Sequence, residues 1–111
     1  MKGMAAFEKE TVFSLEEAIE YTDGGVISKQ VTKSKAGNLT LFSFDKEQGL
    51  SEHKTSYDAI VQILDGEAEI TINGQLFHLG KGQAIIMPAN VPHSLKAIER
   101  FKMLLTMIRQ E

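Results

Sequence analysis

Tyr57-Asp58-Ala59-Ile60-Val61-Gln62-Ile63-Leu64-Asp65-Gly66-Glu67-Ala68-Glu69-Ile70-Thr71-Ile72-Asn73-Gly74 is the stretch that decides the fold. Two strand-like runs, Tyr57 to Leu64 and Glu67 to Asn73, meet at Asp65-Gly66. Asp-Gly and Asn-Gly between such runs signal hairpins, because two-residue hairpin turns need positive φ, which these residues adopt at little cost. In the second run Ala68, Ile70 and Ile72 alternate with Glu67, Glu69 and Thr71, so one face is apolar and points inward. The pattern predicts a hairpin at Asp65-Gly66, a reversal at Asn73-Gly74, a Gly80-Lys81-Gly82 turn and a strand from Gln83 to Met87. Together these form a meander of antiparallel strands.

Downstream, Pro88-Ala89-Asn90-Val91-Pro92 reads as a stiff corner at the sheet rim, since neither proline can donate a ladder bond. His93 to Ala97 and Phe101 to Ile108 follow as strands that reverse at Ile98-Glu99-Arg100. The apolar series Met103, Leu104, Leu105, Met107 and Ile108 predicts a last strand buried on both faces. Upstream, Leu50 to Ser56 is extended. Asn38 to Phe44 places Leu39, Leu41 and Ser43 on one face and Thr40, Phe42 and Phe44 on the other, which calls for cover on both sides. Val26 to Thr32 is a further strand. Ser14 and Glu17 have capping-box spacing and predict a short helix to about Tyr21, stopped by Thr22-Asp23-Gly24-Gly25 and laid against the sheet as a lid or bracket. No segment resembles a crossover helix, so the expectation is an antiparallel sandwich or barrel in one domain, residues 1–111.

Composition narrows the function classes. A 42% hydrophobic content without a long apolar run predicts a soluble domain with no membrane span. The absence of cysteine removes disulfides and thiolate chemistry and suits a reducing cytoplasm. Behind Met1-Lys2-Gly3-Met4 there is no apolar segment of the kind a signal peptide needs. A net charge of -3 with no basic block disfavours a nucleic-acid groove, and Lys29, Lys33 and Lys35 read as a solvated strand face.

Gly49, His53 and Gly66, followed by Gly82, Pro88 and His93, resemble the two motifs of the cupin superfamily, in particular its small single-domain, RmlC-like members. The first motif of that family is a glycine, two histidines flanking one residue, a glutamate on the next strand and a hairpin glycine. The second is a glycine, a proline six residues on and a histidine near a strand start. The resemblance runs from Gly49 to His93. It implies an all-β fold, an antiparallel double-stranded β-helix or jelly-roll barrel, here with one short N-terminal helix.

Residue by residue, His53 stands at the first histidine and His93 at the histidine of the second motif. Thr55 holds the place of the second histidine and Ala59 that of the glutamate, while alternation turns the adjacent Asp58 to the opposite face. Metal-bearing relatives hold a divalent ion with three histidines and a carboxylate. The resemblance therefore leaves His53 and His93 as candidate metal ligands; no cofactor is the expectation, with a divalent metal as the alternative, because zinc, iron or manganese sites normally need at least three protein ligands. Gln62 or Tyr57 turned inward, or carboxylates from elsewhere in the chain, would have to complete the set.

The reading favoured is a small-molecule pocket with His53 and His93 as hydrogen-bonding groups and Thr55, Ala59, Val61 and Met87 around them. Val61, Ile63, Ala68, Ile70, Ile72, Ile85, Met87, Met103 and Leu105 are the candidates to line or fill the interior. Histidine exchanges protons near neutral pH, so His53, His93 and Tyr57 are also candidate catalytic groups for a metal-free isomerase, epimerase or cyclase, with Asp58, Thr55 or Ser94 as orienting partners. Two alternatives stand beside the pocket. One is a metal-dependent oxygenase-like or isomerase activity on a small polar substrate, and the other is a structural dimer with relic histidines. His78, between Phe77 and Leu79, has no ligand partner nearby in sequence. Apolar positions beyond the need of one barrel on Asn38 to Phe44 and Phe101 to Ile108 predict a homodimer. A role as the sensor half of a regulator is disfavoured, since the barrel consumes the 111 residues.

Overall fold

The computed structural model describes residues 7–111. Among the described residues nine strands form two antiparallel sheets: β1 Val26–Ser34, β2 Gly37–Phe44, β3 Gly49–His53, β4 Tyr57–Asp65, β5 Glu67–Ile72, β6 Gln75–Gly80, β7 Ala84–Met87, β8 His93–Ala97 and β9 Phe101–Arg109. One sheet has the order β1-β2-β9-β4-β7 and the other β3-β8-β5-β6. From β6 onward the chain passes from one sheet to the other at every connection. This is the double-stranded β-helix expected from the sequence.

The predicted meander is corrected at two turns: Gly80-Lys81-Gly82 carries the chain from β6 in one sheet to β7 in the other and pairs no neighbouring strands, and the same holds at Asp65-Gly66. β4 and β5 lie in different sheets, so Asp65-Gly66 is a corner and not a hairpin. Only Gly66 has positive φ there, +80°, whereas the favoured two-residue hairpin turn needs it at both central residues. Asn73-Gly74 meets that requirement, with φ of 50° and 82°, and it does form a hairpin that pairs Ile72 with Gln75. The edges of β4 are taken by β7 and β9, which leaves β5 nowhere to pair except in the opposite sheet.

Strand alternation sorts the core as predicted. Phe42 and Phe44 pack inward with Ala59, Val61, Ile63, Ala68, Ile70, Met87 and Met103. Leu39 and Leu41 join a second cluster on the outer face of the five-stranded sheet, with Leu104, Ile27, Val31 and Leu64. Ile19 is fully buried in that cluster, so the N-terminal segment of the same chain covers this part of the sheet. The cover is partial toward the far end of β9, where Ile108 is exposed. Lys29, Lys33 and Lys35 are exposed, as a solvated face requires.

The covering segment is not the expected helix: Leu15 to Ala18 form turns. Half of the capping arrangement exists, the Glu17 amide donating to Ser14 Oγ at 3.3 Å. The carbonyls that would continue a helix are bound elsewhere. Lys102 Nζ donates to Glu16 O at 2.6 Å, Lys29 Nζ to Ala18 O at 2.9 Å and Ser43 Oγ to Glu20 O at 2.7 Å. Tyr21 Oη donates to the Asp65 carboxylate at 2.5 Å while Arg100 lies 4.4 Å over its ring. Burial of the ring and the Asp65 charge raise the Tyr21 pKa well above the usual phenol value, so this donor stays protonated. A helix of two turns is marginal alone, and these tertiary bonds outweigh its internal ones.

Candidate functional site

The two histidines are brought together by pairing of β3 with β8, in which His53 and His93 are direct partners. Their ring centroids lie 4.5 Å apart with the planes at 72°, an edge-to-face contact. His93 is 3% exposed, whereas His53 stands exposed at the rim. The Pro88–Pro92 corner closes this end: Ala89 N donates to Asp58 Oδ1 at 2.8 Å, Asn90 N to Thr55 O at 2.7 Å and Asn73 N to Pro92 O at 2.8 Å. Asp58 points away from Ala59, as alternation demanded, and secures the corner.

Behind the histidines lies a cavity of about 200 Å³. His53, Thr55, Ala59, Met87 and His93, all expected at the site, line it. Phe42, Leu50, Leu95, Met103, Leu105 and Met107 complete the wall. Across from the histidines, Met87, Ala59 and Met107 form one cross-strand row over β7, β4 and β9. Four expected residues are elsewhere. Val61 is buried in the core deeper along β4 and does not line the cavity, and Tyr57 is half-buried outside it. Gln62 is exposed on the outer face, and Ser94 is likewise absent from the wall. Phe42, Leu50, Leu95 and Met107 were missed as wall residues. For Phe42 the signal was in the sequence, because it shares its face with Phe44; Leu50 and Leu95 needed the β3–β8 register, which pairs them.

Hydrogen bonds assign the imidazole tautomers. Nδ1 of His53 lies 2.7 Å from Ser51 O, and Nδ1 of His93 lies 3.2 Å from Val91 O. A carbonyl only accepts, so each Nδ1 carries the proton and each neutral ring presents Nε2 as an acceptor. Among the described residues, no buried side-chain nitrogen or oxygen lacks a partner, and Nε2 of His93 bonds to none of them. That atom therefore meets open space, and the cavity is the space its ring borders. Burial holds the His93 pKa below the ordinary imidazole value, the charge of His53 when protonated adds to the effect, and the Val91 carbonyl opposes it.

The set of residues here does not fit the four-ligand metal centre of metal-bearing cupins. Thr55 and Ala59 stand where a histidine and a glutamate would, and among the described residues no group of three or more His, Cys, Asp or Glu side chains could hold an ion. His78 pairs with Glu69 at 3.2 Å on the surface, remote from the cavity. Among the described residues no helix is long and apolar enough to cross a membrane.

Comparison with known proteins agrees with this architecture. A conserved protein of unknown function from Streptococcus pyogenes superposes with a TM-score of 0.90 at 35% identity, over 100% of this chain and 97% of that one. A cupin superfamily protein from Desulfitobacterium hafniense gives 0.88 at 30% identity, over 95% and 96% of the two chains. The HTH-type transcriptional regulator PuuR of Escherichia coli is 31% identical over 91 residues, 78% of this chain and 49% of that protein. The chain thus spans about half the length of the curated relatives it matches. The cupin-domain pattern itself matches residues 40–108, from β2 to β9 and across both histidines, and on that match the chain belongs to the cupin family.

Proposed function

We propose that this cupin, one domain over residues 1–111, binds a small molecule in the cavity beside His53 and His93 without the aid of a full metal-ligand set. The observation that carries the reading is the buried residue His93, which borders the cavity with Nε2 left free, in a wall that is otherwise apolar except for His53 and Thr55. Pockets of this composition, mostly apolar with a few placed polar groups, are the usual form of small-molecule sites. A panel of small organic probes, followed through the methyl resonances of Met87, Met103 and Met107, tests it. Binding that shifts these methyls and is lost in Ala59→Leu, which fills the cavity, is the expected outcome. A panel that leaves all three methyls unmoved would sink the reading.

The half-length match to PuuR supports a second reading, in which the barrel senses its ligand for a regulator. Under it, ligand binding changes an association with a DNA-binding partner, whether on the same chain or another; a pocket ligand without effect on any such association argues against it. The cytoplasm remains the proposed compartment on the absence of cysteine. A homodimer remains the proposed assembly, through apolar positions that the N-terminal segment leaves open, Ile86 and Ile108 among them. Sedimentation showing a monomer at micromolar concentration would refute that assembly.

A further inference from the structure

Size, wall chemistry and the free ring nitrogen of His93 together restrict what the cavity can hold. A dry cavity of about 150 Å³ is enough for benzene. The ≈ 200 Å³ here therefore takes a single six-membered ring and one small substituent. Among the described residues no Asp, Glu, Lys or Arg lines the wall, so a carboxylate or an ammonium would enter without a counter-charge and lose its hydration uncompensated. At His93 the polar demand is for a donor: Nδ1–H is held by Val91 O, and Nε2 can only accept while the ring is neutral, whereas the Thr55 hydroxyl, also in the wall, already accepts from Tyr57 N at 3.3 Å. Thioethers of Met87, Met103 and Met107 and the ring of Phe42 supply polarisable contacts that favour an aromatic body over an aliphatic one.

We infer that the cavity takes an uncharged aromatic ring bearing one hydrogen-bond donor, the phenol class, with its hydroxyl on Nε2 of His93. The inference rests on the pocket reading above and names the ligand class for that pocket. His53 closes the rim with its ring against that of His93. The low basicity of His93 keeps its Nε2 an acceptor at neutral pH.

Titration of the wild-type protein at pH 7.5 with phenol, cyclohexanol, benzene, benzoate and benzylammonium tests the class. Phenol is expected to bind about tenfold more tightly than benzene, the scale of one net hydrogen bond. It should also bind more tightly than cyclohexanol, and both ions should bind more weakly than benzene. The ¹⁵N resonance of His93 Nε2 shifts with phenol and not with benzene, and His93→Ala removes the preference for phenol. Should that variant not fold, the wild-type panel decides alone. Tightest binding by benzoate, benzylammonium or cyclohexanol, or equal binding of phenol and benzene, overturns the ligand class and leaves the pocket standing. If no compound moves the methionine methyls, the pocket reading itself fails, and the ligand class with it.

Discussion

A β-carbon on Gly66 would lie 1.9 Å from the carbonyl oxygen of Arg100. The corner between β4 and β5 thus passes directly against the chain entering β9, and two sheets are joined there by backbone contact. Gly74 has nearly the same φ, +82° against +80°, but open space where its β-carbon would go. Alanine at Gly74 should cost only the left-handed backbone term, about 1–2 kcal/mol. Alanine at Gly66 adds a collision with backbone that cannot move aside, and a loss of about 3 kcal/mol or more is expected. Urea midpoints of the two variants measure the difference; equal losses would show that the close approach is unimportant.

The N-terminal segment is fastened through Ile19, which has no exposed surface and packs on Leu41 and Leu104. Ile19→Ala should destabilise the protein by about 2–5 kcal/mol, the range for removing most of a buried aliphatic side chain. Because this cluster lies on the outer face, binding in the cavity should change little. A variant with wild-type stability in denaturant titration would mean that the segment is not a structural strap.

Acid should weaken the fold through His93. Its pKa in the folded protein is below the ordinary value of 6.5, so between the two values the unfolded chain binds more protons. Stability rises with pH through that window and is lost as pH falls below about 6.5, with a slope of at most about 1.4 kcal/mol per pH unit for one proton. Among the described residues no carboxylate lines the cavity to offset the charge, and the titratable group facing His93 is His53. Melting curves of wild type and His93→Gln from pH 5 to 8 check this, and the wild-type curve should be the steeper.

Ligand binding should follow the same titration. Protonated His93 has no lone pair on Nε2, so affinity for a hydrogen-bond donor is expected to fall on acidification. Phenol affinity that is flat from pH 8 to pH 5, while that of benzene is also flat, would remove His93 from the contact.

Restoring the missing ligands should create a metal centre. Thr55→His with Ala59→Glu places an imidazole and a carboxylate at two positions that already line the cavity with His53 and His93. Near one equivalent of nickel or manganese is expected in the double variant by elemental analysis, and well below that in wild type. Ala59→Glu alone should be destabilised, since an unpaired carboxylate enters an apolar wall. One equivalent in wild type, lost in both His53→Ala and His93→Ala, would overturn the account of the site.

Much of the barrel was legible because strand alternation is local. The opposed faces of β2, with Leu39 and Leu41 outward and Phe42 and Phe44 inward, follow from a period of two and nothing else. The motif positions of His53 and His93 likewise placed both residues at one cavity, and the losses at Thr55 and Ala59 could be read off directly.

Competition between distant segments decided the rest. Asp65-Gly66 and Asn73-Gly74 look alike as dipeptides, yet one is a corner and the other a hairpin, because β4 has both edges filled by strands that come later in the chain. Ser14 to Tyr21 carries a helix start signal, but its carbonyls are taken by Lys29, Ser43 and Lys102 from three different strands. The tautomer of each histidine, too, depends on which carbonyl its Nδ1 meets, and the low basicity of His93 on how deeply its ring is buried. By itself the sequence determined which faces of the strands are apolar and which residue types occupy the motif. Pairing partners, the fate of the N-terminal segment and the acceptor character of His93 were set by tertiary structure, since each depends on groups far apart in the chain.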